Sequence, residues 1–261
     1  MAIRKILLPL ATNSASEAAL ATAFMVANRW KAHVTAVHIP RKGSDQVSVA
    51  RSLFEQFAAR HDVVIQQEAI RLDQASANFS VITGREEDVV AQLARLADLT
   101  VVPHPEAGDD ISSSGTLHAV LFDSGRPVLI SPPMAPVSIG TRVCIAWNGT
   151  AESAESVLSA IPWMQQAEAV RILSAEGYQR YGPEASELAA YLTLHGINAD
   201  ITIFQPLRGS VGSGLLRSGR LFGCDLLSMG AYSHSRLRQL ILGGVTQHVL
   251  ENSDLPVMMT R

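Results

Sequence analysis

The run Gly115–Ser131, GTLHAVLFDSGRPVLIS, returns as Gly244–Thr260, GVTQHVLENSDLPVMMT, 129 residues later and without a gap. Gly115/Gly244, Val120/Val249, Leu121/Leu250, Ser124/Ser253, Pro127/Pro256 and Val128/Val257 are identical. Each copy reads as a short helix, a polar turn, then proline and an apolar strand. Proline cannot continue a helix, so it marks the change of element. Repeats at a fixed offset are sought first because they decide the architecture.

The match extends outward to the start of each copy. Lys5-Ile6-Leu7-Leu8-Pro9-Leu10 corresponds to Arg142-Val143-Cys144-Ile145-Ala146-Trp147, at an offset of 137 residues. Both are apolar strands leading through small polar residues into Ala/Glu-rich helices. Pro132-Pro133-Met134-Ala135-Pro136 resists helix and sheet pairing and reads as a linker. The expected domains are therefore residues 1–133 and 138–261.

Within each copy, apolar strands alternate with helical periods. In the first, strands fall near Ile3–Leu10, His33–His38, Phe79–Ile82, Leu99–Pro103 and Pro127–Ser131. Asn13 or Ser14 is expected to cap the first helix, which runs to about Trp30. In the second, strands fall near Arg142–Asn148, Ala169–Ser174, Asp200–Gln205, Asp225–Gly230 and Pro256–Thr260. Such alternation predicts an α/β fold. Right-handed crossovers then give two tandem, doubly wound, parallel five-stranded sheets of Rossmann-like order 3-2-1-4-5, with helices on both faces.

Composition narrows the function classes. The chain of 261 residues carries a formal charge of −3, so no global field recruits nucleic acid. Its two cysteines, Cys144 and Cys224, lie in apolar runs without metal-ligand spacing, as in a reducing cytosol. No apolar run approaches the roughly 20 residues of a membrane span. The stretch Ile6–Leu10 is shorter than a secretory core of about 7–15 residues. The expectation is a cytoplasmic protein without membrane insertion.

A doubly wound sheet binds ligands beyond the carboxyl ends of its strands, where strand order reverses between strands 1 and 4. In the second copy the connection after strand 4 runs from Met229 to Thr246. Gly230 would let backbone pass close to a ligand, and Gly243-Gly244 opens the last helix, whose free N–H groups favour phosphate. Arg236 and Arg238 could add charge. The bland alternative is a long connection whose glycines serve only its turns.

This connection resembles the glycine motif of the universal stress protein family, Gly-x2-Gly-x9-Gly-Ser/Thr, with Gly230, Ser233, Gly243 and Gly244 at its four positions. Ala146-Trp147-Asn148-Gly149-Thr150, the helix from Val245 to Leu250 and the ending Leu255-Pro256-Val257-Met258-Met259 are also similar to that family. The resemblance spans nearly the whole chain, as a tandem two-domain member. It implies a stress-response regulatory protein binding ATP or AMP, with magnesium if ATP, at Asn148, Gly230, Ser233, Gly243, Gly244 and Val245. It implies at most weak ATP hydrolysis.

Several positions depart from the pattern. Asn148 stands where the family has an aspartate, which removes a charge and any metal-bridging role. Ser233 puts a Cβ where backbone would meet phosphate, and Gly244 lacks the final hydroxyl. In the first copy Ala11 replaces the aspartate, and Val102-Pro103-His104-Pro105-Glu106 replaces the glycine loop. Pro103 and Pro105 remove two N–H donors. The first site is therefore expected to be degenerate.

Other constellations read more plainly. Gly209-x2-Gly212-x-Gly214 lacks the Lys-Ser/Thr of a phosphate loop and follows strand 3, away from the switch point. It reads as a flexible turn before a helix, whose N-cap serines could approach a ligand from the side. His104, His234 and His248 would need a nucleophile or carboxylate beside them for catalysis, and read as loop or surface residues. His104 and Glu106 beside Asp109 and Asp110 meet no metal spacing rule.

Two rival functions remain at this stage. One is a ligand-free interaction subunit with an unknown protein partner. The other is an adenylating enzyme, for which neither Ala11-Thr12-Asn13 nor Asn148-Gly149-Thr150 supplies the pyrophosphate loop. The resemblance further implies association through last strands. Pro127–Ser131 and Pro256–Thr260 would then make an intramolecular pseudo-dimer, as a monomer or homodimer.

Overall fold

The computed structural model describes residues 2–40, 46–67, 73–105, 115–178, 182–231 and 244–261. Their packing divides the chain into two compact units, with the boundary along the chain between Val137 and Ser138.

In the first unit, β1 (Lys5–Pro9), β2 (His33–His38), β3 (Val64–Ile65), β4 (Ser76–Val81), β5 (Leu99–Val102) and β6 (Val128–Ile130) form a parallel array of order β3-β4-β2-β1-β5-β6. Apart from β3 this is the expected order 3-2-1-4-5. The two-residue strand β3 corrects the count of five to six. Val64 and Ile65 are both exposed, so neither burial nor alternation marked them as a strand.

The helices of this unit are α1 (Ala15–Trp30), α2 (Val47–Arg60), α3 (Glu86–Ala94) and α4 (Gly115–Asp123). Alanine is the best helix former and lets α1 pack closely; the helix is buried along most of its length. Lys31, in the left-handed conformation at φ 53°, ends it. Ser14 makes no side-chain cap bond, contrary to expectation. The Ser16 hydroxyl, in the first turn, donates to Ala11 O at 2.9 Å and to Oδ1 of Asn13, the other expected cap, at 2.7 Å, so neither expected residue is seen capping the helix N–H groups. Phe54 joins the core between Phe24 and Phe79, with ring centroids 5.9 and 5.7 Å away.

In the second unit, β7 (Arg142–Ala146), β8 (Ala169–Ala175), β9 (Ala199–Phe204), β10 (Leu226–Gly230) and β11 (Val257–Thr260) are all parallel. Their order, β9-β8-β7-β10-β11, is again 3-2-1-4-5. The helices are α5 (Ala151–Met164), α6 (Ala185–Leu194), α7 (Val211–Phe222) and α8 (Gly244–Asn252).

Register shows that helices cover both faces. Ser228 pairs with Ile145 and donates its hydroxyl to Ser156 O on α5. Cys144, of opposite parity to Ile145, pairs with Arg171. The guanidinium groups of Arg171 and Arg142 each lie 4.3 Å from the Phe222 ring of α7. Successive strand residues point to opposite faces, so α5 and α7 lie on opposite sides of the sheet.

The two units solve the same local problems with matching residues. Asp98 accepts from the backbone N–H groups of Arg4 and Lys5 at 2.8 and 3.0 Å. Asp225 accepts from those of Arg142 and Thr141 at 2.8 and 3.1 Å. Each aspartate stands just before the fourth long strand of its unit and ties down the start of the first. Ser124 and Ser253 close the turn after the last helix, accepting from Arg126 N–H at 3.0 Å and Leu255 N–H at 3.2 Å.

Candidate functional site

The switch point of the second unit lies between β7 and β10. Beyond β7 the chain turns at Gly149, whose φ of 79° is left-handed. Asn148 Oδ1 accepts from Thr150 N–H at 3.2 Å and from the Thr150 hydroxyl at 3.0 Å. Thr150 Oγ1 in turn caps α5, accepting from Ser153 N–H at 3.3 Å. A backbone N–H can only donate, so the oxygen of the Asn148 amide faces Thr150. Its NH2 group is the part left to meet a ligand. An aspartate could make the same turn but could not donate.

The connection after β8 is seated on this corner. Gly182 lies directly against Gly149 O, leaving no room for a Cβ, and Trp147 Nε1–H donates to Pro183 O at 2.9 Å. Glu184 and Glu187 then form a reciprocal capping box that opens α6.

These elements enclose a cleft of about 130 Å³. Asn148, Thr150 and Ser153 supply its polar side, with Gly230 at the end of β10. Gly244, Val245 and Thr246, the first turn of α8, form another wall. Leu173, Ala175, Phe204, Val211 and Leu215 make its apolar end, with Tyr178 also on the lining. The structure thus brings Asn148, Gly230, Gly244 and Val245 together. Ser233 and Gly243 lie outside the described residues, as do His234, Arg236 and Arg238.

Gly230 has a reason the motif did not show. A Cβ there would lie 2.5 Å from Glu152 C, 2.6 Å from Glu152 O and 2.7 Å from Ser153 N. The glycine thus lets the first turn of α5 pack against the end of β10, while its backbone still lines the cleft. Gly244 is the opposite case, with nothing within 4 Å of its missing Cβ.

The turn before α7 also differs from expectation. Arg208 and Gly209, at φ 52° and 78°, make a tight two-residue hairpin turn between Leu207 and Ser210. Gly212 and Gly214 answer to packing rather than flexibility. A Cβ on Gly212 would meet the His248 ring at 2.7 Å, and one on Gly214 would meet the Phe204 ring at 2.8 Å. Val211 and Leu215 at the start of α7 line the cleft beside Phe204 of β9, the side from which the serines were expected to approach.

His248 is not a lone surface residue, since its Nε2 lies 2.9 Å from Ser213 Oγ. Among the described residues no carboxylate bonds to its ring, so the pair has no third member of a catalytic relay. In the first unit, His38 is buried and its Nδ1 lies 2.8 Å from Leu10 O, at the carboxyl edge of the sheet. His104 Nδ1 lies 2.7 Å from Pro105 O. Glu106, Asp109 and Asp110 lie outside the described residues. Among the described residues no group of three or more His, Cys, Asp or Glu side chains could hold a metal ion. The described lining of the cleft includes no carboxylate. No described helix is long and apolar enough to cross a membrane.

Residues 145–261 match the model of the universal stress protein family. The whole chain is similar in fold to a universal stress protein from Archaeoglobus fulgidus DSM 4304, with TM-score 0.70, 16% identity and 98% of each chain covered. It is also similar to a protein of unknown function from Pseudomonas aeruginosa PAO1, with TM-score 0.62, 13% identity, and 99% of this chain and 92% of that one covered. No curated protein matches the sequence. The parallel sheet of order 3-2-1-4-5 and the family match agree: over residues 145–261 this chain is similar to the universal stress protein family.

Proposed function

We propose that the second unit is a binding module for an adenine nucleotide, ATP or AMP, within a stress-response regulatory protein. The observation that carries this reading is the cleft at the switch point, with the first turn of α8 as one wall. A helix start offers unpaired N–H groups and the positive end of its dipole to an anion. The first unit has a structural role in this reading. Ala11, Pro103 and Pro105 stand there in place of ligand-holding groups, and His38 packs against the end of β1.

Native mass spectrometry of the purified protein, followed by calorimetric titration with ATP and AMP with and without magnesium, tests it. Retained nucleotide mass or saturable binding is the expected result. No binding at millimolar ligand would leave the ligand-free interaction subunit as the function.

A further inference from the structure

We infer that Cys144 and Cys224 form a site for a soft monovalent cation, cuprous copper, held linearly between their two sulfur atoms inside the second unit. The site is separate from the cleft and independent of the nucleotide reading. Cys144 is in the middle of β7, and Cys224 stands two residues before β10. The cleft instead lies past the carboxyl ends of these strands, at Trp147, Asn148 and Gly230.

The fold brings the two thiols together. Gly223, left-handed at φ 71°, ends α7 and turns the chain into the core. Cys224 Sγ donates to Leu226 O at 3.2 Å, and the Cys144 thiol is hydrogen-bonded to Cys224. Both residues are buried and free. Copper would take the place of the two thiol protons. Two S–H bonds break, both protons leave to solvent, two S–Cu bonds form, and nothing is oxidised. Soft thiolates select Cu(I). Zinc asks for four ligands, and among the described residues no third His, Cys, Asp or Glu completes such a group.

The surrounding charge suits that product. Two thiolates and one Cu(I) carry a single net negative charge. Arg142 stands two residues before Cys144 and shares its face of the sheet, and Arg171 is the register partner of Cys144. Both guanidinium charges favour a thiolate at Cys144. Arg171 Nη2 donates to Asp200 Oδ2 at 3.1 Å, but Arg171 Nε is buried without a hydrogen-bond partner. A buried N–H lacking an acceptor is costly. A metal-held thiolate on the neighbouring strand supplies the acceptor, in a charge-assisted bond.

The test is anaerobic equilibration of the full chain with Cu(I) held by bicinchoninate, followed by native mass spectrometry and urea unfolding. One Cu(I) per chain should transfer, adding the mass of one copper less two protons. The ion binds the folded unit, so the urea midpoint should rise. Cys144→Ala and Cys224→Ala should each abolish transfer while keeping the circular dichroism of the parent. Arg171→Gln should weaken it about tenfold. No transfer, undiminished transfer in any of the three variants, or a lowered midpoint would overturn the inference. A lowered midpoint would mean that copper is captured by unfolded thiols. Should the variants not fold, the sign of the midpoint shift in the unaltered chain decides alone.

Discussion

Ser213 Oγ and His248 Nε2, 2.9 Å apart, fasten the first turn of α7 to the middle of α8. Both helices begin at the cleft, through Val211 and Gly244. The bond therefore joins two of its walls. Ser213→Ala and His248→Ala should each lower stability by about 1 kcal/mol, and a double-mutant cycle should show the two effects to be coupled. Urea unfolding of the four proteins measures this. Strictly additive effects would mean that the bond contributes nothing.

Gly230→Ala should be costly although the change is one methyl group. The Cβ would press on the backbone of Glu152 and Ser153, which cannot swing aside as a side chain can. A loss of about 1–3 kcal/mol is expected from thermal or urea unfolding. Wild-type stability in this variant would show that the first turn of α5 yields easily.

Gly244→Ser should be tolerated. Its Cβ meets open space, and serine suits the beginning of a helix. The change in stability should stay within about 0.5 kcal/mol. Gly244 lines the cleft, so a hydroxyl added there is expected to favour ATP over adenosine in competitive titration. An unchanged ratio would place the phosphates away from the start of α8.

Acid should weaken the first unit through two histidines. Burial holds His33 below its ordinary 6.5, helped by Lys5 and opposed by Asn78. Burial, with Arg60 adding to it and Asp62 opposing, does the same for His61. The unfolded chain then binds protons that the folded one refuses. Their effect favours folding fully above pH 6.5 and is lost as pH falls below it. Urea midpoints between pH 7.5 and 5 should decline, and His33→Gln should flatten the decline. An identical slope in that variant would clear His33 of the effect.

Much of the fold was legible in the order of elements. The apolar run at Val143-Cys144-Ile145 marks β7 where it occurs. What escaped were features fixed by distant neighbours. Val64 and Ile65 form a strand because β4 offers an edge, not because their own pattern asks for one. Gly230 fits a motif spacing, yet its neighbour Glu152 lies on another element. Ser213 and His248 are 35 residues apart, and no local period connects them. A cleft does lie beside the switch point, but its apolar lining at Phe204 and Val211 was not foreseen.

The buried thiols have a use of their own. Cys144 and Cys224 are the only cysteines of the chain, both sealed inside the second unit and both free. The neighbouring Cys224 thiol and burial push the Cys144 thiol far up, away from the reactive thiolate. An alkylating reagent then has no target until that unit opens. The rate of mass gain becomes an intrinsic clock for opening of one half of the chain, with the other half silent. Slowing of that clock by a bound ligand would report occupancy without any label.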